Sequence, residues 1–385
     1  MKHRIRAVLA LALAVFGFPA LAADTVVIGV SLGLTGKYSQ TGEMQRLGYE
    51  LWEAHANATG GMLGRPVKVL VRDDQSDAAT AKAIYQQFIE SDRVDFVFGP
   101  YSSGLTNAVI PLIDAAGHPM LAAGAASDEL WRQGSRHIFG IFIPASRYAV
   151  GFLEFAAMTG LTRVGIVGAE DLFSQSVLEG SRKWAEDFGL DVVMTETFKK
   201  GERDLSELAA RVSEQKLDAL VVAGHFNESV DMKKALKGVA HPPRAYFATI
   251  GPAMDGYLET MGEDAEGAFS SSQWESNAVH SPGDQDIFLK PFREKYGQEP
   301  SYHAANAFAA GQILTAAVKR AGALEQSAVR DALATMDTMS VIGRYGVDAT
   351  GMQVKHFPIN IQWQNGRKET VWPEDLATAP PVIGN

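Results

Sequence analysis

Residues Val94 to Leu130 read VDFVFGPYSSGLTNAVI and then PLIDAAGHPMLAAGAASDEL. The apolar run Phe96–Phe98 has the composition of a buried strand, and Gly99-Pro100 ends it, because proline lacks the N–H that a strand ladder needs. Ser102 and Ser103 then open a helix in which Val109, Ile110 and Ile113 recur at helical spacing. After Gly117-His118-Pro119 a second apolar run, Met120–Ala123, breaks at Gly124-Ala125-Ala126-Ser127, and Asp128-Glu129-Leu130-Trp131 reads as a short helix. Two strand ends thus lie close in sequence. Each is tipped with small or hydroxylic residues, and each leads into a helix N-terminus.

That arrangement suits an anion. In an open parallel sheet, ligands collect at the carboxyl ends of the strands. A helix start leaves backbone N–H groups without partners and carries a partial positive charge. Ser102, Ser103 and Ser127 can add hydroxyl donors. Any one of these serines alone is explained as an ordinary N-cap; the recurrence on two successive strand ends is what points to a site.

Outward from this stretch the chain alternates. Strands are expected at Val26–Val30, Val67–Val71, His137–Phe139, Val164–Val167, Val192–Met194, Ala219–Val222, Tyr246–Phe247 and Ala268–Ser270. Helices fall between them, from about Thr41 to Asn57, Ala78 to Ile89, Arg147 to Met158, Ser174 to Phe188, Leu205 to Val212 and Ser229 to Leu236. Two more are expected at about Asp284 to Tyr296 and His303 to Arg320. Strand–helix alternation implies parallel sheets covered by helices on both faces. The alternation restarts near residue 140, and 363 residues beyond the leader exceed what one core holds, so two lobes are expected.

The leader is residues 1–22. Lys2, Arg4 and Arg6 precede the apolar run Ala7–Phe18, and Ala20-Leu21-Ala22 fits a signal-peptidase site, so the mature chain is expected to begin near Ala23 and to be exported. The run is short of the roughly 20 residues that span a bilayer. No Cys follows the cleavage site to take a lipid, and the sequence has none for disulfides, so it relies on burial. The net charge of −10 argues against nucleic acid as a partner.

The stretches IGVSLGLTG (Ile28–Gly36), GGMLGRP (Gly60–Pro66), Asp73-Asp74, GPYSS (Gly99–Ser103) and GAASDEL (Gly124–Leu130) occur in that order. DAEG (Asp264–Gly267) and Val341-Ile342-Gly343, with Asp348 and Gly351 beyond, follow. In this order and spacing the chain resembles the leucine/isoleucine/valine-binding family of periplasmic ligand-binding proteins, the receptors of ABC importers, over its whole mature length. The resemblance implies an α/β fold of two doubly wound parallel-sheet lobes joined by a three-strand hinge, the type I periplasmic binding protein fold. It implies lobe 1 at 24–143 with 275–345, lobe 2 at 144–274 with 346–378 completed by Val354–Trp363, and a loose tail at 379–385. It also implies a non-enzymatic, monomeric importer component that needs no cofactor or metal, with a permease and an ATPase as partners. A periplasmic sensor feeding a separate signalling partner is the alternative on the same fold.

The resemblance puts the ligand between the lobes. Its carboxylate meets Ser103 and the loop at Gly124, Ala125 and Ala126, beside Tyr101 and Ser102. Tyr38 and Thr41 line the first lobe; Phe173, His225, Phe226 and Ile250 line the second. Ala126 stands where the amino-acid binders usually have threonine. Ile250 or Gly251 stands where they place the acid that pairs with the ligand's ammonium. His225 beside Phe226 stands where they place an aromatic, and Phe173 replaces a tyrosine. The acid end of the site is thus kept and the amine end lost. A small carboxylate with an apolar or aromatic body, such as a benzoate- or cinnamate-like acid, is expected, with a branched-chain amino acid as the rival if Glu170, Asp171 or Glu228 supplies the missing charge.

Gly29-Val30-Ser31-Leu32-Gly33 matches the G-x-S-x-G elbow of α/β-hydrolases, but that elbow turns directly into a helix, whereas Leu34–Tyr38 intervenes here. His356, read in a strand, offers no catalytic context. The nine His have no metal-ligand spacing.

Overall fold

The computed structural model describes residues 24–278, 283 and 285–384. The leader at 1–22 and the helix start at Asp284 lie outside the described residues.

In chain order the first unit holds β1 (Val26–Leu32), α1 (Ser39–Ala58), β2 (Val67–Asp73), α2 (Ala78–Gln87), β3 (Phe96–Phe98), α3 (Ser103–Ala116), β4 (Met120–Ala122), α4 (Glu129–Arg132) and β5 (Ile138–Gly140). Its five strands are all parallel in the order β2-β1-β3-β4-β5. The second unit holds α5 (Val150–Met158), β6 (Arg163–Ala169), α6 (Leu172–Asp187), β7 (Asp191–Phe198), α7 (Ser206–Glu214) and β8 (Ala219–Ala223). It continues through α8 (Phe226–Ala235), β9 (Ala245–Ala248), α9 (Gly256–Met261) and β10 (Ala268–Ser272). Then come α10 (Lys290–Tyr296), α11 (Tyr302–Ala321), α12 (Gln326–Thr335), the short hairpin β11 (Thr338–Ser340) and β12 (Gly343–Tyr345), and finally β13 (Ile359–Gln364) and β14 (Arg367–Trp372).

The second sheet is ordered β14-β13-β10-β9-β8-β6-β7. It departs from the all-parallel expectation, because β13 pairs antiparallel with β10 and with β14. The cause is local. Asn365-Gly366 takes positive φ at both positions, which a two-residue hairpin turn requires, so the chain folds straight back. Of the segment Val354–Trp363, only Ile359 onward is strand, and His356, read in a strand, lies in the preceding irregular segment. The helix expected before Tyr296 is α only from Lys290, after a wider π turn over Gln285–Leu289. Within the tail expected to be loose at 379–385, residues 380 and 382 are tied to the second sheet. Gln364 donates to the Pro380 carbonyl, and Val382 N–H donates to Gln362.

The chain passes between the two sheets three times: after β5, after β10, and between β12 and β13. Gln273 joins the three passages. Its amide oxygen accepts from Ile143 N–H at 2.9 Å, its carbonyl lies 2.9 Å from His356 Nε2, and its amide donates to Tyr148 Oη at 2.9 Å. Gln273 is fully buried, so these bonds replace water in full.

After the second passage α11 packs along α1 and completes the first unit's core. Phe96 and Phe98 are fully buried there, with Phe98 stacked on Tyr49 at 4.6 Å. Each buried ring of this kind contributes about 1.5–3 kcal/mol. Parallel strands send all their carboxyl ends to one edge of each sheet. The loops after β1, β3 and β4 meet those after β6, β8 and β9 where the two edges face each other. Among the described residues no helix is long and apolar enough to cross a membrane.

Candidate binding cleft

The loops at the ends of β3 and β4 are bound to one another. Ser103, the first residue of α3, accepts two backbone hydrogen bonds at its hydroxyl oxygen, from Ala126 N–H and Ser127 N–H, both at 3.1 Å. The Ala126 N–H, expected to face the ligand, is therefore engaged by Ser103. With both acceptor positions of its oxygen in use, the Ser103 O–H proton is left to donate into the cleft. Ser102 caps the helix and donates to Tyr38 Oη at 3.1 Å. Gly124 is required by close approach: a Cβ there would lie 2.9 Å from Gln45 Nε2 and 3.1 Å from Tyr101 Cα. Gln45 in turn donates to the Ala123 carbonyl at 2.6 Å and pins the loop.

The second unit supplies the opposing wall. Asp171 caps α6; its carboxylate accepts from Phe173 N–H, Ser174 N–H and the Ser174 hydroxyl. Burial raises this carboxyl, but the neighbouring His225 and the bonds from Ser174 outweigh it and hold the group well below the usual carboxylate range. His225 caps α8, and its backbone N–H donates to the Glu228 carboxylate at 3.1 Å. The His225 ring reaches across the cleft. Its Nδ1 lies 3.2 Å from Tyr101 Oη, and Tyr38 packs on it at 4.9 Å between centroids. Ser127 and Ser176 meet oxygen to oxygen at 2.7 Å in a second contact between the walls.

Between these walls lies a small cavity, partly open to solvent. Of the residues expected at the site it is lined by Tyr101, Ser102, Ser103, Gly124, Ala126, Phe173, His225 and Ile250, and it adds Phe142 and Tyr148. Tyr38, Thr41 and Phe226 line an adjoining compartment of about 90 Å³ that shares Tyr101 and His225 with the first. Ala125 lines neither; it is buried in the core beneath α3. Phe142 and Tyr148 come from the first passage between the sheets, where their apolar context (Ile141-Phe142-Ile143) reads as core. Only the Gln273 bond to Tyr148 marks the second of them as polar at its tip.

No carboxylate is among the residues lining either compartment. Glu170 is exposed, Asp171 is bonded at the start of α6, and Glu228 is occupied by the His225 N–H. Among the described residues no group of three or more His, Asp or Glu is placed to hold a metal ion.

Ser31 lies elsewhere. Its hydroxyl donates to Asp74 at 2.7 Å, so it serves that buried carboxyl where a nucleophile would need an imidazole. Burial raises the Asp74 carboxyl from 3.8 to about 6. The folded chain then keeps a proton that the unfolded chain releases, so this group's contribution to stability is complete below pH 3.8 and is lost as pH rises through about 6. Asp74→Asn is expected to flatten the fall in unfolding free energy between pH 4 and pH 6, read from urea titrations at each pH.

Residues 25–367 match the family described as periplasmic binding protein. A Leu/Ile/Val-binding protein homolog from Brucella suis is 27% identical, covering 97% of this chain and 97% of its own. Among solved structures, a branched-chain amino acid transporter substrate binding protein from Streptococcus pneumoniae, in complex with isoleucine, superposes with a TM-score of 0.82 at 24% identity. It covers 91% of this chain and 100% of that one. A solute binding protein of an ABC transporter from R. palustris, in complex with benzoate, gives 0.80 at 19% identity, covering 94% and 98%.

Proposed function

This chain belongs to the periplasmic binding protein family and has its type I fold, and from that premise we propose that it is the substrate-binding protein of an ABC importer for a small carboxylate with an apolar or aromatic body. The observation that carries the reading is the composition of the cavity lining. Hydroxyl donors stand at the α3 end, Phe142, Tyr148, Phe173 and Ile250 form the walls, and no carboxylate faces it. A buried ammonium left without a counter-charge costs several kcal/mol. A carboxylate at the α3 end instead gains charge-assisted bonds worth roughly 1.5–3 kcal/mol each.

In this reading residues 1–22 direct export to the periplasm. The lobes comprise 24–143 with 275–345 and 144–274 with 346–378, and they close on the ligand about the passages joined at Gln273. Closure is stabilised by the ligand's greater affinity for the closed form. A permease and its ATPase then accept the closed, monomeric protein.

The test is a thermal-shift panel on the mature chain, unfolded and refolded to strip carried-over ligand, with benzoates, cinnamates, leucine, isoleucine and valine. A ligand at 1,000 times its Kd adds about 4 kcal/mol of stability. Aromatic acids are expected to raise Tm and the amino acids to leave it unchanged. Stabilisation by leucine alone would sink the reading and mean that the ammonium has a partner in the cleft.

A further inference from the structure

We propose that His225, positioned by Asp171, takes up a proton as the cleft closes on a carboxylate, and so turns the Tyr101 hydroxyl from a donor to the imidazole into a donor to that carboxylate. The inference rests on the carboxylate reading above and adds to it a charged partner and a proton.

Three groups stand in a row. Asp171 Oδ1 is 3.6 Å from His225 Nε2, His225 Nδ1 is 3.2 Å from Tyr101 Oη, and Tyr101 lines the cavity. The side chains of His225 and Asp171 are 9% and 6% exposed, and the buried Nε2 has Asp171 as its ion-pair neighbour and, among the described residues, no hydrogen-bond partner. The carboxylate facing Nε2 favours a proton on that nitrogen. In the neutral ring Nδ1 is then an acceptor, and the Tyr101 hydroxyl donates to it. A tyrosine has one hydroxyl proton, so this bond withholds it from anything in the cavity.

One proton from the buffer, added at Nδ1, reverses the bond. Nδ1–H donates to Tyr101 Oη, and the tyrosine proton is released to the cavity. No other bond changes. The added proton lowers by one the negative charge that Asp171 and the entering carboxylate would otherwise bury together.

The charges around His225 agree with this assignment. Asp171 faces it from α6, Glu228 sits on its own helix, and Lys37 lies at the rim within reach of both acids. Tyr38 and Tyr101 pack on it from the first unit. The remaining titratable neighbour, His303 of α11, is held down to about 3 by burial first and then by His225, so it stays neutral and does not compete for the proton.

The experiment is calorimetry of benzoate binding to the mature chain at pH 8 in phosphate, HEPES and Tris, which differ in ionisation enthalpy. The observed enthalpy is expected to vary linearly with that of the buffer, with an uptake on the order of one proton per benzoate. His225→Gln is expected to abolish the slope and weaken binding. Tyr101→Phe, which keeps the ring and loses only the hydroxyl, is expected to weaken binding and reduce the slope. Asp171→Asn is expected to reduce uptake. Tight benzoate binding with the same enthalpy in all three buffers would leave the carboxylate reading standing and end this inference. Uptake that persists in His225→Gln would also end it, by placing the proton elsewhere. Failure of benzoate and of every other carboxylate in the panel to bind would overturn both.

Discussion

Ser103→Ala is expected to weaken benzoate binding by roughly 10- to 150-fold, the equivalent of one charge-assisted hydrogen bond of about 1.5–3 kcal/mol. The Ser103 oxygen is saturated as an acceptor by the Ala126 and Ser127 N–H groups, so its own proton is the one that the carboxylate receives. The substitution also leaves those two buried N–H groups without a partner, at about 1–3 kcal/mol each. These bonds lie within one unit and do not depend on closure, so Tm falls in the free protein as well. Ser102→Ala is the comparison. It removes a neutral bond to Tyr38 and is expected to cost roughly 2- to 10-fold. Calorimetry on both variants, with Tm measured alone and with saturating benzoate, separates the binding loss from the stability loss. Equal Kd for Ser103→Ala and the parent would show that the carboxylate does not lie at the start of α3.

The donor end of the cleft was legible because its signal is local. Gly99-Pro100 stops a strand, Ser102-Ser103 starts a helix, and the pattern recurs at Gly124–Ser127. What the hydroxyls do with their lone pairs was not legible, since the partners of Ser103 lie 23 and 24 residues away on another loop. The wall residues Phe142 and Tyr148 carry no local mark. They become walls because a passage between sheets runs past the strand ends, and apolar residues there look like core. Ala125 sits between the cavity-lining Gly124 and Ala126, and the backbone direction there sends it into the core, while Thr41 lines the adjoining compartment. Asn365-Gly366 carries the chemistry of a two-residue hairpin, which the strand–helix alternation of the rest of the chain does not signal. α12 carries Val329, Ala332 and Leu333 on one buried face, but its ten residues are too few for periodicity to stand out.

Gly48→Ala is expected to destabilise the folded chain by roughly 1–3 kcal/mol or more, although alanine favours helices. Gly48 lies within α1 where α11 crosses it. A Cβ there would sit 2.2 Å from the Ala304 carbonyl oxygen and 2.9 Å from Ala307 Cβ. Neither neighbour is the end of a flexible side chain, so the two helices must move apart. The start of α11 also carries Tyr302 and His303, which pack on Phe142 and Tyr101 of the cavity wall. Separation at Gly48 therefore reaches the ligand, and benzoate binding is expected to weaken with stability. Gly104→Ala supplies the contrast. That residue lies in the first turn of α3, directly after Ser103, and a Cβ there meets nothing within 4 Å. The same substitution is expected to stabilise the chain by up to about 1 kcal/mol. Urea midpoints at unchanged slope decide both signs. If Gly48→Ala matched the parent, the close contact of α1 and α11 would not constrain the first unit. If it lost stability and kept full affinity, the cavity wall would be independent of the helix pair behind it.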